Sequence, residues 1–203
     1  MNLKPLLLPV TVRTAKKSEI PLTEDLMERL RLREQALLVE GFSFFDTRDA
    51  ALSYHFFSEI NIDNPNLWLL FKRLTMMLPE EVCLIFQHID NEPSYSQYLD
   101  KFEILNKLDE YQQELSMDGY MEFGLMFQDD DCLVEIFVKR TKYIQFWGKN
   151  EALFRKAMQD LALTEIPGIN FIDEYPLVTE ALSLHHPELM NTSDLLKALA
   201  YIS

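Results

Sequence analysis

The chain has 203 residues, 48% of them hydrophobic and 12% aromatic, with a formal charge of −14 and a pI near 4.7. That length and apolar content are enough for a sizeable core. The acid excess argues against nucleic acid and anionic membranes as partners, because phosphate binding needs clustered Lys and Arg.

In chain order, the first segment, Leu6-Leu7-Leu8-Pro9-Val10, reads as an extended piece or edge strand, since two prolines and a charged sequel argue against a signal peptide. Thr23 is placed to cap a helix over 24–39 that stops at Gly41. A short strand follows at 41–45. Asp46 or Thr47 then starts a helix with Leu52, Phe56 and Glu59 on one side. Asn64-Pro65 opens a further helix to Leu78, burying Leu67, Phe71, Leu74 and Leu78.

Residues 81–89 form a nearly continuous apolar run, as expected of a central strand. Asn91 to Ser94 make a loop, and a long helix over 97–117 presents Tyr98, Phe102, Leu105, Leu108, Tyr111 and Leu115 before Gly119 closes it in the left-handed conformation. Residues 120–127 and 132–138 alternate with a period of two around the tip Asp129-Asp130-Asp131. Facing Phe127 with Cys132 gives the pairs 125/134, 123/136 and 121/138, with Phe123 and Ile136 as buried cross-strand neighbours. Glu122, Glu135, Phe137 and Tyr120 then share the second face. A third strand over 142–147 buries either Tyr143 and Trp147, after a two-residue loop, or Ile144 and Phe146, after a three-residue loop.

Asn150 caps a helix burying Phe154, Ala157 or Met158, and Leu161. A short strand at 169–172, a helix from Pro176 to Leu184 and a final helix with Leu195, Leu199 and Ile202 complete the chain. The order from Glu81 is β-α-β-β-β-α, which makes the chain a single α+β domain. An antiparallel meander is packed with helices, behind a mainly helical portion over 1–79 and within a sheet-centred portion over 80–203.

Cys83 and Cys132 lie in apolar alternating runs and are too few for a disulfide framework, so buried free thiols in a reducing cytoplasm are expected. No run has the length of a membrane span. The His185-His186 pair lacks partner ligands at metal spacing, and the acidic hairpin tip lacks the spaced oxygens and glycine of a calcium loop. Phosphate-loop, dinucleotide, nucleophile-elbow and C-x-x-C patterns are missing, so neither a cofactor nor a metal is expected. Glu122 and Glu135, as diagonal neighbours, offer a carboxylate pair for acid–base work, set against an ordinary solvated strand face.

Charge distribution carries the functional expectation. Fifteen acids fall between Glu80 and Glu135 against two bases, Lys101 and Lys107. An ordinary solvated acidic face has this appearance. The sharper reading is a docking surface made of Asp109, Glu110, Tyr111, Tyr120, Glu122, Asp129, Asp130, Asp131, Glu135 and Trp147. The chain is then a cytoplasmic acidic protein that binds a basic protein, of the kind in which a bacterial inhibitor or immunity protein neutralises a toxin or enzyme. Two alternatives are an enzyme using Glu122 or Glu135 in a pocket between sheet and helices, and a structural protein that pairs its second sheet face with a copy of itself as a homodimer.

Overall fold

A computed structural model describes residues 4–47, 49 and 51–202. Its elements in order are β1 (Val12–Thr14), α1 (Glu24–Arg33), β2 (Gly41–Asp46), β3 (Phe56–Asn61), α2 (Leu67–Thr75), β4 (Glu81–His88), β5 (Ser94–Asp100), α3 (Lys101–Asp109), α4 (Gln112–Met117), β6 (Met121–Gln128), β7 (Leu133–Val138), β8 (Ile144–Gly148), α5 (Glu151–Asp160), β9 (Leu177–Thr179) and α6 (Thr192–Ala200). Seven strands form one antiparallel sheet in the order β2-β3-β8-β7-β6-β4-β5, and β1 pairs with β9 in a separate ribbon. The fold is α+β.

One face of the sheet carries the core. Phe42, Phe56, Ile60, Leu84, Phe123, Leu125, Ile136, Ile144 and Phe146 meet Leu67, Leu70, Phe71 and Leu74 of α2, Ile104 and Leu108 of α3, Phe154 and Met158 of α5, and Leu195 and Leu199 of α6. Period-two strands and period-3.6 helices supply these side chains from one stripe each, so two layers close the main apolar interior.

The hairpin of β6 and β7 differs from its expected register by two residues. The pairs are Phe123 with Val138, Leu125 with Ile136, and Phe127 with Val134, around a loop of Asp129 to Cys132. Phe123 and Ile136 are both fully buried but do not face each other. A slip of two preserves every inward and outward assignment, because side chains alternate with period two.

The turn into β8 has three residues, Arg140, Thr141 and Lys142, with Lys139 bonded to Tyr143 across it. This is the alternative that buries Ile144 and Phe146. Lys142 takes the left-handed position of the loop, with φ of 64°. A non-glycine residue there is strained by roughly 1 kcal/mol, and the Lys142 side chain offsets it by donating from a buried ammonium to the Met121 carbonyl at 3.0 Å. Burial lowers the lysine pKa to about 8, against the opposing pull of Asp118 and Glu122.

Three expected helices are corrected. The one expected from Asp46 or Thr47 is the strand β3 from Phe56 onward, while Arg48 and Ala50 lie outside the described residues. Between β2 and β8, β3 finds backbone partners on both sides, and that pairing overrides a weak helical pattern. The described residues of 1–79 therefore contribute two strands to the main sheet and are not mainly helical. The long helix over 97–117 begins only at Lys101, because 94–100 return as β5 beside β4. Asp100 accepts from the backbone N–H of Phe102 and Glu103 and restarts the chain as a helix. The segment after Pro176 is β9, paired with β1, and the expected strand at 169–172 is a loop ending in a single 3-10 turn.

Smaller corrections concern the caps. Thr23 caps α1 as expected, but the helix ends at Arg33 and buries none of its residues. Gly119 is not left-handed. It is held small instead by close approach, since a Cβ there would lie 2.7 Å from the Thr179 methyl and 2.8 Å from a Val12 methyl. Cys83 is buried and Cys132 half-buried, both as free thiols. Among the described residues, no helix is long and apolar enough to cross a membrane.

Candidate functional site

The helices cover only one face of the sheet, so the opposite face decides what the molecule can present. Register fixes its rows. Phe45, Phe57, Trp147, Glu135, Met126 and Cys83 lie side by side across β2, β3, β8, β7, β6 and β4. The next row, one step along the strands, is Ser43, Glu59, Gln145, Phe137, Gly124 and Ile85. Gly124 is small for a reason, because a Cβ there would come within 2.2 Å of the Ile136 carbonyl oxygen.

Three aromatic rings form a continuous strip at the β2 side. Phe45 stacks on Phe57 at 5.9 Å between centroids, and Phe57 meets Trp147 at 4.8 Å. Phe45 is 50% exposed, and Phe57 and Trp147 are half-buried. Rings left half in water are the form of amphipathic surface that protein interfaces favour.

The strip ends at Glu135. Its cross-strand neighbours are Trp147 and Met126, and it makes no hydrogen bond or ion pair among the described residues. Removal from water, with no donor in compensation, raises its pKa to about 7. The nearest lysine by register, Lys149, is committed to the main-chain oxygen of Asp131.

The stability consequence follows from linkage. In the unfolded chain the carboxyl ionises near pH 4.5, while in the fold it holds its proton to about pH 7. Between those values the folded state binds more protons, so the Glu135 contribution to stability is present below pH 4.5 and lost as the pH rises through 7. The full shift corresponds to about 3 kcal/mol, and solvent reaching this half-exposed face reduces it to about 1–2 kcal/mol. Glu135→Gln is therefore expected to be more stable than the native protein at pH 8 and equal to it at pH 4, as urea unfolding at both values would measure.

Glu122 has the opposite fate. Along the strands it lies four residues from the Glu135 row, roughly 13 Å away at strand rise, so the two are not diagonal neighbours. Although Glu122 is buried, Lys139 at 2.8 Å, Gln87 and the backbone N–H of Arg140 stabilise its charge and lower its pKa against desolvation. It is a satisfied ion pair. Both glutamates lie on the face away from the helices, so no pocket between sheet and helices can contain them together.

At that distal end the face is covered. Residues 166–175 lie over it, with Tyr143, Val39, Ile169 and Phe171 in an apolar cluster and the Tyr143 hydroxyl donating to Asp173 at 3.0 Å. Tyr143 is thus unavailable for a self-pairing patch. Burial raises the pKa values of Asp173 and of Glu59, which accepts from Gln145 at 3.1 Å.

The remaining candidates divide by location. Asp129, Asp130 and Asp131 are exposed at the tip between β6 and β7, at the same end of the sheet as Trp147 and Glu135. Beside them a polar hollow of about 490 Å³ is lined by Asp49, Ser53, His55, Asp130, Asp131 and Lys149, among others. Tyr120 stands at the far end, parallel to the His88 ring at 5.7 Å and donating to the Thr179 carbonyl.

Asp109, Glu110 and Tyr111 lie at the junction of α3 and α4 in the helical layer, on the other side of the sheet. Asp109 accepts from the Trp68 indole at 2.6 Å and from Lys72 at 3.2 Å, and Tyr111 packs on the core. The ten residues do not make one surface. Phe57 falls in the stretch where the sequence predicts a helix, and Phe45, on the expected strand 41–45, has no strand partner in the sequence to show its face. The alternation Phe57, Glu59, Asn61 against Phe56, Ser58, Ile60 is the signal that would have found them.

His185 pairs with Glu180 and His186 with Glu188. Among the described residues no group of three or more His, Cys, Asp or Glu is placed to hold a metal ion. No known protein family, curated protein or solved structure matches the chain.

Proposed function

We propose that the chain is a protein-binding protein that receives a basic partner on the open half of its sheet. The observation that carries this reading is the strip Phe45-Phe57-Trp147, half in water and ending at a carboxyl that has no partner among the described residues. Large rings in that state recover free energy when a partner covers them. Charge selects the kind of partner. The molecule carries −14, the exposed acids Asp129, Asp130 and Asp131 lie at the same end of the sheet, and Lys139 on this face is neutralised by Glu122. An acidic partner would meet repulsion and a basic one attraction. An inhibitor or immunity-type protein that blocks a basic toxin or enzyme fits this description, acting from the cytoplasm.

The test is affinity capture from the native organism, followed by association kinetics across a salt series. A basic partner is expected whose association rate falls several-fold as ionic strength rises from about 0.02 to 0.3 M, where the Debye length shrinks below 10 Å. Asp130→Lys is expected to slow association while leaving stability unchanged, because an exposed charge contributes little to the fold. Asp109 should not be reversed for this purpose, since it holds Trp68. An acidic partner, or a rate indifferent to both salt and Asp130→Lys, would refute the reading.

A further inference from the structure

We infer that Glu135, Trp147 and Phe57 form a seat for one guanidinium group, so that the open face reads an arginine side chain. The inference deepens the docking reading above and names what that face recognises. Three observations converge on it. First, Trp147 is flanked by a second ring, Phe57, at 4.8 Å on one side and by Glu135 on the other, all in one row. Secondly, the carboxyl has no donor among the described residues, and Lys149 and Lys139 are both engaged elsewhere. Thirdly, the row is half-exposed, so a ligand can reach it without displacing any element.

The chemistry then discriminates among ligands. A neutral apolar group would cover Glu135 and leave its carboxyl without a partner. An anion would be repelled. A lysine ammonium satisfies the charge but holds its water tightly and offers no plane to the rings. An arginine lies flat on Trp147 and turns its fork of N–H donors to the carboxylate, so stacking and a paired hydrogen bond are satisfied together.

Binding should also release a proton. The groups around Glu135 are Trp147, Gln145 and Lys149 from β8, Phe57 and Glu59 one strand further on β3, Met126, Gly124 and Gln128 from β6, and Leu133 and Phe137 along its own strand. Among them Lys149 and Glu59 titrate; Lys149 is committed to the Asp131 main-chain oxygen, and Glu59 is acidic, so it reinforces the demand for a cation. An arriving guanidinium favours the ionised carboxylate, and the displaced proton passes to solvent.

The experiment uses the intact protein and small probes, Nα-acetylarginine amide and Nα-acetyllysine amide, followed through the two tryptophan indole N–H signals in NMR. Trp147→Phe identifies the relevant signal, because Trp68 is buried and bonded to Asp109. Arginine amide is expected to shift the Trp147 signal saturably and to bind roughly 5–10-fold more tightly than lysine amide, the advantage of planar bidentate recognition. The arginine affinity should rise between pH 5.5 and 8. Glu135→Gln, shown to be folded by the same spectrum, should remove both the preference and the pH dependence. Equal response to the two amides, no saturable shift, or an arginine affinity untouched by Glu135→Gln would overturn the seat. The seat and the docking reading fail separately. An arginine response without any basic protein partner retains the former and removes the latter. A captured partner with no arginine response does the reverse.

Discussion

Phe123→Ala is expected to lower the unfolding free energy by about 3–5 kcal/mol, the range for removing a buried aromatic side chain. Phe123 is fully buried at the centre of the sheet, meeting Phe71 at 5.1 Å and Trp68 at 6.2 Å on α2, with the Lys142 ammonium 5.9 Å from its ring. Phe71 and Trp68 are themselves packed in the core, so the upper part of that range is expected. The whole of a domain's stability is about 5–15 kcal/mol, so the variant should be near its limit and show a sharply reduced urea midpoint. A loss below 1 kcal/mol would mean that α2 does not rest on β6 as described.

Trp147→Ala should have its large effect on binding. The ring is half-buried and stacks on Phe57, so the fold loses some contact but no core element. An aromatic at the centre of a docking row typically contributes 2 kcal/mol or more to a complex, which is about 30-fold in Kd. Most of that should appear as faster dissociation, because the encounter is steered by the acids at the sheet end and not by the ring. The measurement is dissociation of the captured partner from the native protein and from the variant, with thermal unfolding of both alongside. An unchanged dissociation rate would remove Trp147 from the interface and the docking reading with it.

The two predictions differ in how far they could be read from sequence. Phe123 was legible as a core residue because Met121, Phe123, Leu125 and Phe127 alternate cleanly, and burial follows from parity alone. Its partner was not legible. Parity is unchanged by a slip of two, and the length of the acidic tip left both registers open, so Val138 and not Ile136 faces it. Trp147 was named, but its setting was not, since that depends on β3, a strand whose partners β2 and β8 are far apart in sequence. Non-local pairing of this kind leaves little local signal.

Glu122 and Glu135 make the same point chemically. Each is a glutamate on an alternating strand, yet Lys139 and Gln87 hold one ionised while apolar neighbours keep the other protonated to near neutrality. Composition cannot separate them. Register can.

The isolation of α1 has a further consequence. It has ten residues, none buried, and its Arg29 guanidinium donates to the Glu174 carbonyl on the loop covering the distal sheet face. A helix this short is marginal by itself in water. Its opening exposes only the half-buried Leu26, Met27 and Leu30 and no core side chain, so its amides are expected to exchange through local fluctuation while those of β6 wait for global unfolding. Arg31 and Arg33 in its last turn make it a natural first cleavage point for trypsin, and a nick there would leave the seven-stranded sheet with its strand pairing intact.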